Sequence, residues 1–272
     1  MPKRISILGY GWLGRALAKV LLSKAYYVDG STTSKEKISN IKASGVVPYF
    51  LQLDNHKLTG PIDSFLAKAD VLVVAFPPGL RHDEHANYSA RIRLLLDAAK
   101  EYPKTKVLLL SSIGVFGQTQ GIVRENSTPK PDSKVGEQLM SAEKQVLGLG
   151  AQMNIVRLGG LVGDGRHPAK KLSGRKKIPH PNAPTNLVHQ KDVVRFLCAI
   201  IEQNIWGHIL HCVSPFQKKR KEFYIKQCAL AGLPLPEFDE TETKRNKKAE
   251  DTQSKQLFNF EYKLVSCSIQ DC

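Results

Sequence analysis

No stretch of this 272-residue sequence approaches the roughly 20 consecutive apolar residues that a membrane-spanning helix needs. The N-terminus, Met1-Pro2-Lys3-Arg4, leads straight into an apolar strand pattern without signal-peptide architecture, so a cytoplasmic protein with no membrane partner is expected. Cysteine is sparse and unpatterned. Cys198, Cys212, Cys228, Cys267 and Cys272 form an odd set with no C-x-x-C pair, which points to reduced thiols. No closely spaced Cys or His set matches zinc spacing, and no metal is expected. Gly and Pro are not unusually abundant and charged residues make up 24%, which excludes disordered and low-complexity classes. What is present is 42% hydrophobic residues, enough to bury a full core in one large domain or two closely packed lobes.

Net charge is +15. Residues 1–165 carry 21 Lys and Arg against 14 Asp and Glu, and residues 166–272 carry 19 against 11, so the C-terminal part is the denser. Its basic runs are Lys170-Lys171, Arg175-Lys176-Lys177, Lys218-Lys219-Arg220-Lys221 and Lys244-Arg245-Asn246-Lys247-Lys248. A solvated, solubilising surface is the first reading of this charge and an anionic-substrate site the second. Nucleic acid comes last, because no recognised binding motif accompanies it.

Apolar runs alternate with helix-like stretches through the first 160 residues. Ile5–Leu8, a run led by Tyr26-Tyr27-Val28 and ending near Ser31-Thr32, Val46–Leu53, Val71–Ala75, Val107–Leu110 and Ile155–Leu158 read as strands. Several are continuously apolar, as a parallel sheet covered on both faces requires. Leu13, Leu17, Val20 and Leu21 share a helical face, and further helices are predicted over about Lys35–Ser44, Asn87–Lys100, Lys134–Leu149, Lys191–Gln203 and Lys219–Ala231. The pattern predicts a doubly wound, Rossmann-type α/β parallel sheet over 1–165, with a smaller C-terminal substrate lobe over 166–272 interleaved with it.

Gly9-Tyr10-Gly11-Trp12-Leu13-Gly14 is a G-x-G-x-x-G placed between a strand and a helix. The first glycine allows the tight turn, the second admits a pyrophosphate against the backbone, and the third lets helix pack on strand. The helix-start N–H groups then face an anionic ligand. About 20 residues on, an NAD site would place an Asp or Glu against the ribose 2′-hydroxyl. Here stand Ser31-Thr32-Thr33-Ser34-Lys35, with Asp29 a few residues too early. Hydroxyls followed by a lysine suit a 2′-phosphate, so NADP is expected before NAD. An ordinary helix N-cap explains the same hydroxyls.

Five further segments follow in order: Asp54 at the end of the third strand; Ala75-Phe76-Pro77-Pro78; Ser111-Ser112-Ile113-Gly114-Val115-Phe116-Gly117; Arg157-Leu158-Gly159-Gly160 with Gly163-Asp164-Gly165-Arg166; and Asn186-Leu187-Val188-His189-Gln190-Lys191-Asp192. With the glycine turn, their order and spacing resemble the extended short-chain dehydrogenase/reductase superfamily, which includes nucleotide-sugar epimerases and dehydratases. The resemblance covers nearly the whole chain. It implies that Asp54 contacts adenine, that Ala75, Phe76 and Pro77 lie over the cofactor, and that Ser111 and Ser112 belong to the family's serine segment. The Asn186 segment opens the substrate lobe.

That family also needs a Tyr and, four residues later, a Lys on the helix after the serine strand, the lysine lowering the phenol's pKa for proton transfer. Aligning Glu143 with the family's glutamate puts Val135 and Leu139 at those positions, and no tyrosine occurs between Tyr102 and Tyr224. Tyr102-Pro103-Lys104-Thr105-Lys106 mimics the dyad, but it precedes a strand and so lies at the wrong end of the sheet. The combination resembles the atypical, extended-like members. His82, His85 and Tyr88, spaced by three, are candidate substitutes on one helical face, against a plain polar helix start. Arg166, His167 and Lys170 are candidates for a phosphate or carboxylate.

Two functions stay open. One is an NADP-dependent oxidoreductase or epimerase with a non-standard active site, Ser112 orienting a small polar, anionic or sugar-nucleotide substrate. The other is a non-catalytic NADP-binding sensor or regulator acting through a protein partner. A homo-oligomer is compatible with both.

Overall fold

The computed structural model describes residues 2–80 and 83–272. Seven strands form the main sheet: β1 (Arg4–Leu8), β2 (Tyr27–Thr32), β3 (Val47–Phe50), β4 (Val71–Val74), β5 (Lys106–Ser112), β6 (Met153–Leu158) and β7 (His208–Cys212). They lie in the order β7-β6-β5-β4-β1-β2-β3, and the central sheet is parallel. The helices are α1 (Trp12–Ser23), α2 (Ile38–Ala43), α3 (Ile62–Leu66), α4 (Tyr88–Ala99), α5 (Lys134–Leu147), α6 (Pro168–Leu172), α7 (Gln190–Glu202), α8 (Arg220–Leu230) and α9 (Ser254–Phe258). Strand order reverses between β1 and β4, where Ile7 lies opposite Gly30 on one side and Val73 on the other. In a doubly wound sheet that reversal opens a crevice beyond the strands' carboxyl ends. Among the described residues no helix is long and apolar enough to cross a membrane.

The chain forms two compact units, each assembled from three segments. The first comprises Met1–Ser111, Ser133–Val156 and Leu197–Ile209. Ile5, Ile7, Leu17, Leu21, Phe65 and Leu72 are completely buried in it, as the apolar strands and the Leu13/Leu17/Leu21 face of α1 require. The second comprises Ser112–Asp132, Arg157–Phe196 and Leu210–Cys272. Its apolar cluster joins Val162, Ala169 and Leu187 to Phe223, Tyr224 and Ile269. The aromatic residues of the tail pack around Phe196, which meets Phe258 and Phe260 edge-on at 5.1 and 4.9 Å between ring centroids.

Three local features depart from the sequence pattern. The strand expected over Val46–Leu53 keeps its pairing with β2 only to Leu51, whose N–H gives the last rung to Thr32 O (3.1 Å), and Gln52–Leu53 pairs antiparallel with Leu58–Thr59 instead. The helix expected from Lys35 opens as a single 3-10 turn over Lys35–Lys37. Lys247, in a basic run read above as solvated surface, is buried in the second unit. Its Nζ donates to Ile113 O at 3.0 Å and Phe116 O at 2.9 Å, and burial lowers the ammonium pKa to about 8.

Candidate functional site

The apolar β1 ends at Leu8, and the chain turns at Gly9 with φ +104°, a left-handed value that favours glycine. A Cβ on Gly9 would stand 2.9 Å from Phe76 N, so this residue also makes room for the chain leaving β4. A Cβ on Gly14 would stand 2.4 Å from Gly9 O, which is why α1 packs so close to the turn. Gly11 differs from both. Among the described residues nothing lies within 4 Å of where its Cβ would be, so its bareness serves open space. Gly11 is also the N-cap of α1; no side chain caps the helix and its first turn holds no acid. The first bond of the helical ladder runs from Arg15 N to Gly11 O (2.9 Å), so the positive end of the helix dipole stands at the turn.

β2 fastens this turn through one serine. Gly9 N donates to Ser31 Oγ at 2.9 Å, and Tyr10 N donates to Ser31 O at 2.8 Å. The Tyr10 ring then lies over Gly30, and its hydroxyl meets Ser44 Oγ at 2.9 Å. The result is a cleft of about 310 Å³ floored by Leu8, Gly9, Tyr10 and Gly11 and walled by Ser31, Thr32, Thr33 and Lys37. Leu51 and Leu53 make an apolar side; Phe76, Pro77 and Arg91 complete it. Among the described residues its lining carries two cations and no carboxylate.

Asp29, the acid within β2, is not part of this lining. Its carboxylate is buried against Arg4 Nη1 (2.8 Å) and Ser6 Oγ (3.4 Å), and burial raises its pKa against the pull of Arg4. Of the other expected cofactor residues, Thr32 and Thr33 line the cleft and Ala75 abuts Gly9. Trp12, Leu13 and Gly14 form the first turn of α1. Ser34 accepts no ligand-like contact: its N–H bonds Thr32 Oγ1 (3.1 Å) and its hydroxyl bonds Glu36. Lys35 lies over the Phe50 ring at 5.3 Å and is absent from the lining, where Lys37 stands. Asp54 is occupied in a turn, accepting from His56 N and Lys57 N at 2.8 Å each, which holds its pKa low. Ser31, read in the hydroxyl run, lines the cleft, whereas Lys37, Leu51, Leu53 and Arg91 were not singled out by the sequence; the one signal for Lys37 was its place within two residues of Lys35.

His85 and Tyr88 of the candidate substitute acid/base set do not share a helical face. α4 begins only at Tyr88, because Asn87 Oδ1 caps it by accepting from Ala90 N at 2.9 Å. His85 lies exposed in the preceding turn, and His82 lies outside the described residues. Tyr88 is completely buried, edge-on to Phe76 at 5.1 Å, and burial beside Glu143 pushes its phenol pKa upward. It is core. Ser111 is also buried and donates to Glu143 Oε1 at 2.5 Å, a tie between β5 and α5. Val135 is exposed and Leu139 buried on α5, so neither family position carries a proton. Tyr102 donates to Asp63 at 3.1 Å and Lys106 to Asn204 at 2.8 Å, which separates that mimic of the dyad.

In the second unit, Ser112 Oγ accepts from Gly114 N at 3.0 Å, which leaves the hydroxyl proton as a donor. His167 there is buried, its ring bonded to Cys267 O (3.1 Å) and accepting from Ala169 N (3.2 Å). It caps α6 and offers nothing to an anion.

The order of the seven-strand parallel sheet and the glycine turn define a Rossmann-type fold that matches solved epimerases. No family model matches the sequence. Protein YeeZ of Escherichia coli strain K12 is 32% identical over 238 residues, 87% of this chain and 86% of its own length, and the chain belongs to the YeeZ family. The uncharacterized UDP-glucose epimerase YtcB of Bacillus subtilis strain 168 is 28% identical over 149 residues, covering 49% of this chain and 47% of its own. Among solved structures, UDP-glucuronic acid 4-epimerase from Bacillus cereus in complex with NAD superposes with a TM-score of 0.81 at 19% identity, over 98% of this chain and 94% of that one.

Proposed function

We propose that this protein binds a nicotinamide dinucleotide in the Gly9–Gly14 cleft, NADP(H) before NAD(H), and uses it to oxidise, reduce or epimerise a small polar or sugar-nucleotide substrate. The observation that carries the reading is the cleft's chemistry: an open Gly11 at an uncapped helix N-terminus, hydroxyls and Lys37 beyond β2, and no carboxylate in the lining. Gly9, Gly11 and the first N–H groups of α1 would hold the pyrophosphate. Leu51 and Leu53 would take the adenine, and Thr32, Thr33 and Lys37 the 2′-phosphate, by hydrogen bonds and charge. An NAD-selective site would instead set a carboxylate against the ribose; Asp29 is committed to Arg4 and Glu36 is bonded to Ser34.

The bound cofactor would supply a hydride acceptor or donor. The chain's own contribution is to hold it and to orient the substrate, with the Ser112 hydroxyl donating to a substrate oxygen. Support for the substrate class comes from the fold relatives. The Bacillus cereus epimerase acts on UDP-glucuronic acid, and another structure of the same fold, MoeE5, was solved with UDP-glucose and NAD at a TM-score of 0.80 and 16% identity. The test is turnover of UDP-glucose and UDP-glucuronic acid with NADP⁺ or NAD⁺, followed by nicotinamide absorbance and by NMR of the sugar. The proposal expects conversion with NADP⁺ favoured and at least about tenfold loss in Ser112→Ala. Cofactor binding without conversion of either sugar nucleotide would remove the substrate assignment.

A further inference from the structure

Arg91 projects from α4 into the same cleft, and its chemistry there is unfinished. Its side chain is 18% exposed, and its Nε is buried with no hydrogen-bond partner among the described residues. The guanidinium is seated against Gly79: a Cβ on that residue, at φ +87°, would stand 3.3 Å from Nη1. Its ion-pair partner is Asp83, whose Oδ2 lies 3.8 Å from Nη2, beyond hydrogen-bond length. A buried N–H donor without an acceptor is costly, and a guanidinium offers its donors as a fork that matches the oxygens of a phosphate.

The geometry points to Arg91 as a second phosphate-binding residue of the cleft, one that takes the pyrophosphate of the dinucleotide and leaves Asp83 to do so. This rests on the dinucleotide reading above. Two observations separate its role from that of Lys37. Lys37 follows β2, on the side of Ser31 to Thr33. Arg91 shares the lining with Phe76 and Pro77, and Phe76 N is the atom that the missing Cβ of Gly9 would meet. Arg91 therefore belongs with the glycine turn, where the pyrophosphate lies in a fold of this kind.

Equilibrium titration with NADPH, NADH, ADP-ribose and 2′-AMP tests the assignment. ADP-ribose carries the pyrophosphate without the 2′-phosphate, and 2′-AMP the reverse. Arg91→Gln is expected to weaken NADPH, NADH and ADP-ribose alike by about tenfold or more, leaving 2′-AMP unchanged, with Arg91→Lys intermediate because it keeps the charge and loses the fork. Asp83→Asn, which removes the competing partner, is expected to tighten ADP-ribose. Unchanged affinities in folded Arg91→Gln, or a loss confined to NADPH and 2′-AMP, would overturn the assignment. Should Arg91→Gln not fold, equal ADP-ribose affinity in Arg91→Lys, Asp83→Asn and the unsubstituted protein overturns it instead. If the unsubstituted protein binds none of the four, the dinucleotide reading itself fails.

Discussion

The ring of Tyr10 lies on Gly30, so closely that a Cβ on the glycine would come within 2.8 Å of Tyr10 Cδ2. The same added atom would stand 2.9 Å from Val46 Cγ1, so it has no side on which to relax. One residue inside β2 thus sets the position of the middle residue of the glycine turn.

Replacing Gly30 with alanine is expected to destabilise the protein by about 1–3 kcal/mol, the usual cost of forcing a methyl into a packed site. It should also weaken dinucleotide binding by displacing Tyr10 from the cleft floor. Urea unfolding and a cofactor titration on the same variant check both. A stable Gly30→Ala protein would show that the Tyr10 ring moves freely.

Charge reversal at two neighbouring lysines separates the side chain that lines the cleft from the one that does not. Lys37→Glu is expected to lower NADPH affinity about tenfold or more while changing NADH affinity little, because it sets a carboxylate against a 2′-phosphate. Lys35→Glu should change the NADPH to NADH ratio far less, since Lys35 stacks on Phe50. Titrations of both cofactors against both variants decide it. An equal loss for the two cofactors in Lys37→Glu would exclude a 2′-phosphate contact there.

The second unit carries its own pH dependence. His211 Nδ1 pairs with Glu250 O at 2.8 Å, while Nε2 is buried without a partner among the described residues, and burial lowers the pKa to about 4 despite the attraction of Glu125. The unfolded chain therefore binds a proton at His211 that the folded chain refuses, between the unfolded value near 6.5 and about 4. Stability is expected to fall as pH drops through that window, by up to about 1.4 kcal/mol per pH unit from this residue. Denaturant melts at pH 7 and pH 5 should show a smaller difference in His211→Phe than in the unsubstituted protein. Equal differences would assign the acid sensitivity elsewhere.

The fold was legible because its signals are local and repeated. Runs such as Val71–Val74, buried along their whole length, need cover on both faces, and the glycines mark the turn between the first strand and its helix. β7 was not visible: His208 and His211 interrupt its apolar run, and it lies at the sheet edge, where burial is incomplete. In the site, the backbone cradle could be read because glycine has few other reasons to recur at that spacing. Side-chain choices could not. Whether Lys35 or Lys37 enters the cleft depends on a single 3-10 turn, and whether Tyr88 is exposed depends on where Asn87 starts α4. Arg91 is invisible by pattern, since one arginine on an amphipathic helix reads as surface until Gly79 and the cleft are placed beside it.

Gly11 tests the central claim most directly, because among the described residues nothing lies within 4 Å of its missing Cβ, whereas Gly14 is packed against Gly9 O. Thermal melting and NADPH titration of Gly11→Ala beside the unsubstituted protein separate folding from binding. The account predicts saturable NADPH binding to the unsubstituted protein, and in Gly11→Ala a melting temperature within about 2 °C of it but affinity lower by about tenfold or more. Full NADPH affinity in Gly11→Ala, or no binding by the unsubstituted protein, would contradict it.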